Sequence, residues 1–89
     1  MWIVRFGVAG IDPPSADQEA LLRALLWEHF GDARGVEHFT LTMTGTVFDL
    51  TVFVAHAIDD PHQHAESVLD AAFAAQPALR RWIYTLIPR

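Results

Sequence analysis

Residues 39–54, FTLTMTGTVFDLTVFV, alternate apolar and polar side chains with a period of two on either side of Gly45. Successive side chains of a strand point to opposite faces, so this stretch buries its apolar set only as two strands laid on one core. The glycine supplies the turn. The expected hairpin turns around Thr44-Gly45, and a two-residue loop there pairs Leu41 with Phe48, Phe39 with Leu50, Thr40 with Asp49 and His38 with Thr51. Apolar then meets apolar on one face and polar meets polar on the other.

The flanking segments have different periods. Residues 2–9, WIVRFGVA, place Trp2, Val4, Phe6 and Val8 on one face and Ile3, Arg5 and Gly7 on the other, which predicts a strand ended by Gly10 and Pro13-Pro14. Ser15 and Gln18 have capping-box spacing and open a helix to about residue 30, with Leu22, Leu25, Leu26, His29 and Phe30 as its inner stripe. Asp60 and Pro61 start a second helix to about residue 76, with Ala65, Val68, Leu69, Ala72 and Phe73 inward. Pro77 ends it, and residues 80–87, RRWIYTLI, read as a last strand.

The resulting order, β-α-β-β-α-β, predicts an α+β, ferredoxin-like single domain over residues 1–89. Right-handed crossovers put the first and third strands at the centre of a four-stranded antiparallel sheet, with both helices on one face and the other face open. This topology hosts many unrelated activities, so function has to be sought in side chains.

Composition narrows the choice. The chain is 52% hydrophobic and 19% charged, with a formal net charge of −5, six arginines, no lysine and no cysteine. Disulfides and thiolate metal sites are excluded, and a reduced, cytoplasmic setting is expected. The acidic balance argues against a nucleic-acid partner. No apolar run approaches bilayer-spanning length, and residues 1–15 lack a small-residue cleavage site, so neither a membrane anchor nor a signal peptide is expected. Thirteen alanines and no lysine suit a GC-rich, bacterial genome.

Two clusters are candidate sites. His56, His62 and His64 lie close together beside Asp59 and Asp60. A histidine metal centre needs converging ring nitrogens, whereas residues two apart on a helix diverge by about 200°. A capped helix start explains Asp59 and Asp60 near the positive end of the helix dipole, and a metal-binding regulator is the lesser reading. The open sheet face is the other candidate. By parity it carries Ile3 and Arg5, then His38, Thr40 and Thr42, then Val47, Asp49, Thr51 and Phe53. The last strand adds either Trp82, Tyr84 and Leu86 or Ile83, Thr85 and Ile87, because both its faces are apolar. Strands apolar on both sides are usually covered on both sides.

The expected interface comprises Ile3, Phe53, Trp82, Tyr84 and Leu86, and the expected partner is a second copy or another protein. The leading expectation is thus a small acidic assembly domain, acting as a homodimer or complex subunit without a cofactor. The alternative is a cofactor-free enzyme of the dimeric α+β barrel kind, acting on a hydrophobic small molecule. In it His38, Asp49 and Arg5 would form an acid/base set, Asp49 orienting the imidazole.

Overall fold

The computed structural model describes residues 1–31 and 33–87. The elements are β1 (Trp2–Ala9), α1 (Ala16–Phe30), β2 (Val36–Thr44), β3 (Val47–Val54), α2 (Pro61–Ala75), a 3₁₀ turn (Pro77–Leu79) and β4 (Ile83–Ile87). The four strands form one antiparallel sheet in the order β2-β3-β1-β4. This is the ferredoxin-like α+β arrangement, with β1 and β3 central.

Local chemistry starts each helix. The Ser15 hydroxyl accepts from the Gln18 backbone N–H at 3.2 Å, and Asp60 accepts from the Gln63 N–H at 3.0 Å with Pro61 following it. Each side chain satisfies an amide that the helix itself leaves without a partner. The buried stripe of α1 is Leu22, Leu26 and Phe30, and that of α2 is Pro61, Ala65, Leu69 and Ala72. Both stripes lie on Val4, Phe6 and Val8 of β1, Phe39 and Leu41 of β2, and Phe48, Leu50, Val52 and Val54 of β3. The core therefore sits between the helices and one sheet face, with no buried charged residue among those described.

Three boundaries differ from expectation. The hairpin pairs Leu41 with Leu50, Thr42 with Asp49 and Thr44 with Val47, so its two-residue loop is Gly45-Thr46. Gly45 has φ of +56° while Thr46 does not have positive φ, the requirement of a type II′ turn. The register thus slips by two residues from the expected one; two being the period of a strand, every side chain keeps its face. The last strand begins at Ile83 rather than residue 80. Backbone bonds from Arg80 N–H to the Pro77 carbonyl (3.2 Å) and from Trp82 N–H to the Leu79 carbonyl (3.0 Å) hold residues 77–82 in turns, anchored by buried Leu79. The third difference concerns which face of β4 is inward. Val8 pairs with Tyr84 and Phe6 with Leu86, so Tyr84 and Leu86 share the helix side with the core residues they neighbour.

Candidate functional site

The open face is built in rows across the sheet. One row runs His38, Phe53, Ile3; the next runs Thr40, Thr51, Arg5, Ile87; the third runs Thr42, Asp49, Gly7, Thr85. Val47 and Ile83 lie beyond them. Ile3 is 45% exposed and Ile83 67%, while Phe53 and Ile87 are half-buried. Large apolar side chains therefore occupy opposite margins of the face, with threonines between them.

The two opposite charges of the face form one ion pair. Arg5 donates to Asp49 Oδ2 at 2.5 Å, across β1 and β3. The other carboxylate oxygen of Asp49 is buried and accepts no hydrogen bond. His38 takes no part in this pair. Its ring stacks on Phe53, centroids 5.8 Å apart at an interplanar angle of 27°. In the observed register His38 stands opposite Phe53, four residues along β3 from Asp49, or roughly 13 Å. The expected acid/base set of His38, Asp49 and Arg5 is thus reduced to Arg5–Asp49, because the two-residue slip carries His38 away from the carboxylate.

A cleft of about 530 Å³ does adjoin His38, lined also by Ala20, Arg23, Trp27 and Phe39. It lies on the α1 side of β2, and neither Arg5 nor Asp49 reaches it. Trp27 is 58% exposed here and leans on Phe39, ring centroids 5.4 Å apart.

The expected interface residues divide. Ile3 and Phe53 stand on the open face. Trp82, Tyr84 and Leu86 do not: Trp82 stacks on core residue Phe48 with centroids 5.8 Å apart, and Tyr84 meets Phe6 and Phe73 edge-on. The Tyr84 hydroxyl donates to Asp70 of α2, with Glu66 alongside. Partial burial raises the Tyr84 pKa well above its ordinary value, and the neighbouring Asp70 and Glu66 carboxylates push the same way. The phenol is a neutral clamp between β4 and α2. Ile83, Thr85 and Ile87 take the places on the open face that Trp82, Tyr84 and Leu86 were expected to hold.

The three histidines near α2 are not brought together. His56 accepts from the amino group of Met1 and lies edge-on to Trp2 at 5.5 Å between centroids. His62 lines the same pocket as His56. His64 instead donates to the Arg34 carbonyl at 2.5 Å, tying α2 to the turn before β2. Helical divergence separates His62 from His64 as geometry requires. Among the described residues no group of three or more His, Asp or Glu side chains is placed to hold a metal ion, so the metal expectation for His56, His62 and His64 has no geometric support. No helix among the described residues is long and apolar enough to cross a membrane.

No protein-family model, curated protein or solved structure matches this chain.

Proposed function

We propose that the protein is an assembly domain whose open sheet face closes on a second copy of itself. The supporting observation is the charge and shape of that face: apolar margins at Ile3, Phe53, Ile83 and Ile87, and one charge of each sign at Arg5 and Asp49. A two-fold axis through such a patch lays Arg5 of each copy near Asp49 of the other and apolar margin on apolar margin. Four strands of five to nine residues give a face of about 500 Å² on standard strand spacings, hence about 1,000 Å² buried between two copies. That is the lower end of a specific interface, which suits a reversible dimer. The absence of cysteine fits a reduced, cytoplasmic setting.

Sedimentation velocity over a concentration series tests the proposal. The native chain is expected to sediment as a dimer at tens of micromolar, and Phe53→Asp as a monomer with an unchanged far-UV circular dichroism spectrum. A native monomer at every concentration would contradict it.

A further inference from the structure

Where β1 leaves the sheet and β4 enters it, the loop after β1, the start of α1 and the 3₁₀ turn enclose a pocket of about 410 Å³. That lies within the range of roughly 300–1,000 Å³ typical of small-molecule sites. Arg80 and Arg81 both line it, together with Ile11, Asp12, Gln18 and Trp82. Consecutive arginines seldom converge on one cavity in a strand, where they would point to opposite faces. Here they do, because residues 77–82 are coiled into turns.

Two observations give the pocket its chemistry. Among the described residues only Arg5 and Arg23 make ion pairs, so the two pocket guanidinium groups carry unneutralised charge in a chain whose formal net charge is −5. Among the described residues Asp12 is the single carboxylate in the lining, so the described lining carries one net positive charge.

We infer that this pocket binds a small oxyanion, with Arg80 and Arg81 donating to its phosphate or carboxylate oxygens. Planar guanidinium forks match both oxyanions, and charge-assisted bonds of this kind supply the affinity. The pocket shares no residue with the open sheet face, so it stands or falls independently of the dimer.

The test is a titration of the full chain with glycerol phosphate and, separately, with lactate, following the Trp82 indole N–H by NMR against sodium chloride at matched ionic strength. A saturable displacement in the millimolar range is expected, and the tighter of the two probes identifies the oxyanion. Arg80→Gln and Arg81→Gln should each weaken binding about tenfold, while Arg34→Gln, outside the pocket, leaves it unchanged. No saturation below about 20 mM, an equal response to chloride, or equal weakening by Arg34→Gln would overturn the inference.

Discussion

Arg5 and Asp49 pair diagonally across the two central strands, and their worth depends on what else the carboxylate touches. One oxygen meets the guanidinium at 2.5 Å; the other is shielded from solvent without a donor. Arg5→Gln removes the cation and leaves a partly desolvated carboxylate behind. Because the Arg5 side chain is 49% exposed, the expected cost is only about 1 kcal/mol, read from urea unfolding at low protein concentration. Tyr84 gives a sharper residue-scale prediction, since it is the only tyrosine in the chain. Its raised pKa keeps the phenol protonated in the folded state where an unfolded tyrosine ionises. The associated stability is therefore fully present below about pH 10 and is lost as the pH climbs above it. Tyrosinate absorbance should appear cooperatively with unfolding rather than as a simple titration near pH 10, and Tyr84→Phe should flatten the alkaline fall in stability. His38 shows what parity cannot say. Its face was legible from the alternation of β2, but its neighbour depended on the turn, and a turn one residue later moved Asp49 out of reach.

At the scale of elements, the patterns set by period were the legible ones. The core faces of β1, α1 and α2 follow from spacing alone, and the caps at Ser15 and Asp60 form as their side-chain chemistry requires. The hairpin register was not legible, because any slip by two preserves every apolar match and only the conformational need of Gly45 selects among slips. The orientation of β4 was hidden for a different reason. Both its faces are apolar, and the deciding contact, the Tyr84 hydroxyl with Asp70, is tertiary. The pocket at Arg80 and Arg81 was hidden by the same segment, which reads as strand but coils into turns. Two element-scale predictions follow from packing. Leu69 is fully buried in α2, so Leu69→Ala should cost about 3 kcal/mol in unfolding free energy. Gly35 has φ of +86°, and a Cβ there would come within 2.6 Å of Ile58 Cδ1. Gly35→Ala should therefore cost about 2 kcal/mol or more and loosen the join between the start of β2 and the end of β3, seen as faster amide exchange at Ala55, whose N–H donates to the Gly35 carbonyl.

At the scale of the whole molecule, one side of the sheet is sealed by two helices and, among the described residues, the other carries no covering element. That side mixes exposed isoleucines with a balanced ion pair, the combination on which the proposed dimer rests. A dimer held this way has a thermal midpoint that rises with protein concentration, whereas a monomer's does not. The most direct measurement is an isotope-filtered NOE experiment on an equal mixture of carbon-13-labelled and unlabelled chain. Contacts between copies are predicted from the methyl groups of Ile3, Ile83 and Ile87 and the ring of Phe53. Their absence, or intermolecular contacts confined to Leu21 and Trp27 on α1, would contradict the account.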